Sequence, residues 1–257
     1  MYFFKIIIGL FISLIMLVVI FSTSIITFLL SLIIWCLTFP FDKNRILLHR
    51  LTCYCLALWA YIMPTWRIRV EGREKIKKGE RYLIIANHQS QLDIMLSALL
   101  FADFKWVSKA EILKVPILGW QMALNKYITV KRGYVNSISQ MMTDCENAIE
   151  SGSSVLLFPE GLRSESGEIK KFRPGAFILA EKQKVPVLPI VIYGTKDALP
   201  KNSFVSFGIH RIHIKVLDEI PYSEIFENSP EENSEKARLL IEKHYKLIQK
   251  RIELDLY

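Results

Sequence analysis

A chain of 257 residues, 51% of them hydrophobic and with a net charge of +8, has room for one α/β domain plus an appendage, or for two small domains. Its four cysteines, Cys36, Cys53, Cys55 and Cys145, form no CxxC pair. They read as small hydrophobes in a reducing compartment rather than as a disulfide scaffold. The positive balance suits anionic lipid heads or phosphate-bearing substrates. No Lys/Arg tract of the kind that marks nucleic-acid arms accompanies it, so no nucleic-acid partner is expected.

The first element is an uncharged run from Ile6 to Phe39. At 1.5 Å per residue it makes a helix of about 50 Å, against a hydrocarbon core of about 30 Å. Either one strongly tilted helix or a shorter span with a break at Ser22-Thr23-Ser24 fits. The run is too long for a signal-peptide core and no small-residue cleavage site follows, so a retained membrane segment is expected. Lys43, Arg45 and Arg50 come after it and only Lys5 before it, which puts the downstream side in the cytoplasm. A second apolar stretch, Ile46 to Trp66, reads either as an interfacial helix with Trp59, Tyr61 and Trp66 at headgroup level or as a core helix. His49 and Cys53 lie one helical turn apart, but two ligands without partners make a poor metal site.

From Arg67 onward short β-branched runs alternate with helical patterns. Strands are expected at Arg67–Val70, Tyr82–Ala86, Lys105–Val107, Tyr127–Val130, Ser154–Phe158, Val187–Tyr193 and Arg211–Val216. Helices are expected at Gln91–Phe101, Val135–Ser151 and Phe177–Lys184, with Gly152 stopping the second of these. Ser229-Pro230-Glu231-Glu232 combines a serine cap, a proline at the first helical position and a glutamate at the third. It starts a last helix running to about Arg251 that packs one face on the domain. The alternation predicts an α/β fold with a mostly parallel sheet flanked by helices, preceded by an N-terminal membrane-embedded helical segment. The division expected is residues 1–66 as anchoring helices and 67–257 as the catalytic domain.

Two strand ends carry the chemistry. Asn87-His88 follows the run Tyr82–Ala86 directly, with Asp93 five residues on from the histidine. In open α/β sheets ligands bind outside the carboxyl ends of the strands, where His88 can serve as a neutral base and Asp93 can hold its second ring nitrogen. Five positions on one straight helix are about 500° apart, so the pair meets only if His88 precedes a helix and Asp93 lies in its first turn. Ser90-Gln91-Leu92-Asp93 is a capping-box pattern that starts a helix there, and on its own it leaves open that Asp93 only caps. At the second strand end, Phe158-Pro159-Glu160-Gly161-Leu162-Arg163-Ser164, Gly161 permits close backbone approach. Arg163 offers a forked donor for phosphate, and Glu160 can accept from hydroxyls.

Together these two motifs resemble the glycerolipid acyltransferase family, specifically its 1-acylglycerol-3-phosphate acyltransferases. Asn87-His88 to Asp93 corresponds to the first family motif, Phe158–Gly161 with Arg163-Ser164 to the third, and Val185–Ile190 to the fourth. Leu162 stands where members usually have threonine. The second motif departs further: Lys126-Tyr127-Ile128-Thr129-Val130-Lys131-Arg132 keeps the arginine but lacks the glycine and phenylalanine. Trp106–Lys109 through Pro116–Trp120, and Lys171–Ala176, also resemble the family, so the likeness covers about Val70 to Pro200.

The resemblance implies that His88, oriented by Asp93, takes the proton of a lysophospholipid hydroxyl as it attacks an acyl thioester. It implies that Arg132, Glu160, Gly161 and Arg163, with Lys109 and Arg173, shape the glycerol-phosphate site. Lysophosphatidic acid, membrane lipids and acyl-CoA or acyl carrier protein are the implied partners, with no metal or other cofactor. The implied location is a bacterial cytoplasmic membrane, with the domain facing the cytoplasm. No GxSxG elbow or catalytic-cysteine signature is present, so a covalent acyl-enzyme is not expected. The rivals are the same chemistry on another lysophospholipid or a lyso-ornithine lipid, and an inactive lipid-binding scaffold.

Overall fold

The computed structural model describes residues 2–131, 133–164, 167–199 and 208–255, the first eight of these by backbone alone. The chain begins with α1 (Tyr2–Thr38) and α2 (Ile46–Ile62), then enters the sheet through β1 (Trp66–Glu71) and β2 (Leu83–Ala86). There follow α3 (Leu92–Ser97), β3 (Phe104–Lys109), α4 (Leu118–Leu124), β4 (Ile128–Val130), α5 (Val135–Glu150) and β5 (Ser154–Leu157). The last third holds α6 (Gly175–Gln183), β6 (Val187–Tyr193), α7 (Thr195–Ala198), β7 (His210–Val216), α8 (Tyr222–Phe226) and α9 (Pro230–Glu253).

The seven described strands form one sheet in the order β1-β7-β6-β2-β5-β3-β4. β6, β2, β5, β3 and β4 are mutually parallel, whereas β7 runs antiparallel to β6 and carries β1 parallel to itself. The sheet is therefore mostly parallel but mixed at one edge. Where strands run parallel, a helix crosses over between them. Between β6 and β7 the described residues offer only the single turn of α7, too short to cover a sheet face.

β2 lies at the centre, and its four residues are all fully buried. Their side chains alternate between the two faces. Ile84 and Ala86 join α2 and α3, while Leu83 and Ile85 join α5, α6 and α9. Burial on both faces is why these strands read as continuous apolar runs instead of alternating ones. The Ser229 capping box forms as expected: Ser229 N donates to Glu232 Oε2 at 3.0 Å and Ser229 Oγ accepts from Glu232 N at 3.3 Å.

α1 is continuous for 37 residues, so of the two arrangements the sequence allowed, the unbroken helix is the one found. Thr23 Oγ1 donates to Val19 O and Ser24 Oγ to Ile20 O, both at 2.6 Å. Hydroxyls bonded back to the preceding turn need no interruption of the helix. Among the described residues α1 alone, over Leu10–Thr38, is long and apolar enough to cross a membrane. Most of its large apolar side chains are exposed, Phe11 and Leu17 among them. α2 returns along it, and Trp59 Nε1 donates to Thr23 Oγ1 at 2.7 Å.

α2 combines both sequence-level alternatives. Leu48, Cys53, Ala57 and Ala60 are buried against the domain, while Tyr54, Leu58 and Tyr61 are exposed. Trp66 does not sit at a headgroup level; it opens β1 and is buried in the core. His49 is held by structure, with Tyr127 Oη at 2.9 Å from Nδ1 and Ala102 O at 2.9 Å from Nε2.

Candidate active site

β2 ends by delivering Asn87 and His88 to the carboxyl edge of the sheet. The Asn87 amide extends the β2–β6 ladder by one step with its side chain. Its Nδ2 donates to Ile192 O at 2.8 Å and its Oδ1 accepts from Ile192 N at 2.9 Å. The chain then turns, and α3 starts at Leu92, so Asp93 falls in the first helical turn as the spacing requires.

His88 Nδ1 and Asp93 Oδ2 lie 2.8 Å apart. The same oxygen accepts from Gln89 N at 2.6 Å and Ser90 N at 2.8 Å, and Oδ1 accepts from Thr195 Oγ1 at 2.6 Å. Capping the turn and holding the imidazole are thus one job done by one buried carboxylate, not alternatives. With Nδ1–H committed to Asp93, the Nε2 lone pair meets no described partner. The ring stacks on Phe158 at 4.2 Å between centroids, and only 6% of the side chain is exposed.

The second motif expected to carry chemistry braces the first. Glu160 Oε1 accepts from His88 N at 2.7 Å, Oε2 accepts from Lys170 N at 3.1 Å, and Ser164 N donates to His88 O at 2.8 Å. Glu160 therefore ties the His88 backbone to the Lys170 backbone through its two oxygens. Burial wins over its two backbone N–H bonds and raises its carboxyl to about 7. Gly161 adopts φ +74°, and a Cβ there would lie 3.1 Å from the Arg173 guanidinium carbon, so glycine meets both a backbone and a packing requirement.

A groove of about 340 Å³ opens beside this turn, with Phe158 as the wall it shares with His88. Val107, Met141, Met142, Leu157 and Leu162 make it apolar, and Arg173 is the charged side chain among its described lining. Arg173 and Lys109 are exposed, the latter next to the lining residue Ser108; Arg163 is half-buried, and Arg132 lies outside the described residues. At the departure from the second family motif, Lys126 takes φ +54°. A non-glycine residue in this left-handed conformation carries a strain of about 1 kcal/mol. Thr195, Ser164 and the Phe158 stacking were not singled out as site features from the sequence. The signal for Thr195 was Gly194-Thr195 at the end of an apolar strand, the same strand-end position that drew attention to His88.

The Acyltransferase family model matches residues 67–193, and the chain belongs to that family. A 1-acyl-sn-glycerol-3-phosphate acyltransferase of Arabidopsis thaliana, described as chloroplastic, is 36% identical over 166 residues, covering 63% of this chain and 46% of the relative. One of Saccharomyces cerevisiae is 31% identical over 193 residues, covering 73% of this chain and 63% of the relative. The matched region spans about half the length of the plant relatives. The crystal structure of PlsC from Thermotoga maritima, a 1-acyl-sn-glycerophosphate acyltransferase, superposes with a TM-score of 0.76 at 22% identity. That match covers 95% of this chain and 98% of the other, so the two share a fold.

Proposed function

We propose that this chain transfers a fatty acyl group from an acyl thioester, acyl-CoA or acyl carrier protein, to the sn-2 hydroxyl of 1-acylglycerol 3-phosphate, yielding phosphatidic acid. The observation that carries the reading is the 2.8 Å contact of His88 Nδ1 with buried Asp93 at the carboxyl end of the central strand, beside an apolar groove rimmed by Arg173. The names of the relatives supply the acceptor.

His88 Nε2 takes the proton of the acceptor hydroxyl as its oxygen attacks the thioester carbonyl. Asp93 keeps the imidazole in the tautomer that leaves Nε2 free and stabilises the imidazolium that forms. The thiol leaves with that proton and the ester remains on the glycerol. The groove takes the acyl chain. Arg173, with Lys109, Arg163 and Arg132, supplies charge for the phosphate, while Glu160 and Gly161 hold the shape of the turn. No metal is called for, because the thioester is already activated.

Residues 1–66 anchor the domain of residues 67–257 to a cytoplasmic membrane from its inner face. Acceptor and product then stay in the bilayer, which spares about 0.8 kcal/mol for each CH₂ that would otherwise enter water.

The test is the full chain in lipid vesicles with a panel of lysolipids and both donor types. Turnover is expected to be greatest with 1-acylglycerol 3-phosphate. His88→Ala is expected to lower kcat by about 10²- to 10⁴-fold with folding and membrane association intact. Turnover of another acceptor alone would overturn the substrate assignment, and an unaffected His88→Ala variant would overturn the mechanism.

A further inference from the structure

Asp93 Oδ2 is filled by three donors from its own turn, whereas Oδ1 is met from another element altogether. Thr195 follows β6 at the same edge of the sheet, 102 positions down the chain, and is fully buried. Its hydroxyl donates to Oδ1 at 2.6 Å, a short, charge-assisted bond. The segment that carries it is pinned on both sides. Gly194, at φ +83°, packs so closely on β7 that a Cβ would lie 2.1 Å from Arg211 O. At the other end Leu199 O accepts from Ser90 Oγ at 3.1 Å. The hydroxyl therefore approaches from a separate element, a segment fixed by its packing on β7 and tied to the His88 turn through Ser90.

We infer that Thr195 is a positioning residue for acyl transfer: its hydroxyl fixes the Asp93 carboxylate in the plane that holds the His88 imidazole, making a His88–Asp93–Thr195 relay of orientation. The inference rests on the acyl-transfer reading. Without the hydroxyl, Oδ1 is a buried carboxylate oxygen with no described donor, and the carboxylate is held through Oδ2 alone, about which it can turn out of the imidazole plane. Ground-state binding of either lipid does not involve this contact, so the loss falls on kcat.

The test compares Thr195→Val, which deletes the hydroxyl at nearly constant volume, with Thr195→Ser, which keeps it. In vesicles, Thr195→Val is expected to lower kcat at least tenfold, with KM for acceptor and donor changed less than threefold and the melting temperature within a few degrees of the parent. Thr195→Ser is expected to retain at least a third of the parent kcat. Should the valine variant not fold, Thr195→Ala is read in the same way. Parent-like kcat in the hydroxyl-free variant, an equal fall in the valine and serine variants, or a change confined to KM would each overturn the inference while the parent enzyme still turns over. A parent chain inactive on every acceptor would instead sink the acyl-transfer reading itself.

Discussion

Beside the groove a buried carboxylate takes four hydrogen bonds, from His88, Gln89, Ser90 and Thr195, and the imidazole it holds is almost hidden. Arg173, which lines the groove, and Lys109, next to the lining residue Ser108, stand exposed. In the acyl-transfer reading the contrast follows from the two tasks. A proton moves efficiently only along a geometry set before the substrate arrives, because reorganisation at that moment adds to the barrier. A phosphate arrives with its own charge and is drawn in by cations that water keeps solvated until then.

The contrast breaks most sharply at Asp93. Asp93→Asn turns an acceptor into a side chain that can offer Nδ1 a donor, which favours the wrong tautomer. Kcat is expected to fall about 10⁴-fold with KM little changed; steady-state kinetics check this, and a loss confined to KM would blur the distinction between the two regions. Glu160→Gln comes next. It still accepts from His88 N but loses one acceptor for Lys170 N, and a roughly tenfold fall in kcat is expected.

Glu160 also sharpens the comparison through pH. Its carboxyl is raised from 4.5 to about 7, so between those values the folded chain holds a proton that the unfolded chain has released. Its contribution to stability is full below about 4.5 and is lost as pH rises through about 7. Denaturant midpoints measured across that window should decline in the parent relative to Glu160→Gln, and parallel curves would count against it.

The smallest effects belong to the rim. Arg173→Ala should raise KM for the acceptor about tenfold and leave kcat within about threefold, the difference shrinking in high salt. Lys109→Ala should do the same by about twofold, and salt-independent losses in kcat would show that the rim is as tightly built as the base.

The sheet was largely legible because its central strands β2, β5 and β6 are buried on both faces and so appear as apolar runs with turn residues at their ends. The direction of β1 and β7 was not legible, since hydrophobic pattern carries no sign. The His88–Asp93 contact could be read from spacing because both ends lie within one turn. Thr195 could not be paired with Asp93, because a contact across 102 positions exists only once β2 and β6 are neighbours. The bond of Glu160 to the His88 amide was hidden for a related reason: the two lie 72 positions apart and meet only where the ends of β2 and β5 are neighbours. Ser22-Thr23-Ser24 could not decide between a broken and an unbroken α1, because the Thr23 and Ser24 hydroxyls can bond the preceding turn without interrupting the helix.

The stacking of Phe158 on His88 bears on a wasteful reaction. An acyl thioester parked beside an uncovered imidazole would be hydrolysed, since that base activates water as readily as an alcohol. With one face of the ring covered by Phe158 and only a sliver of its side chain exposed, bulk solvent has little room beside Nε2. In the acyl-transfer reading the donor therefore keeps until an alcohol on a bound lipid fills the remaining gap, and the cell's activated fatty acid is spent on membrane rather than lost as soap.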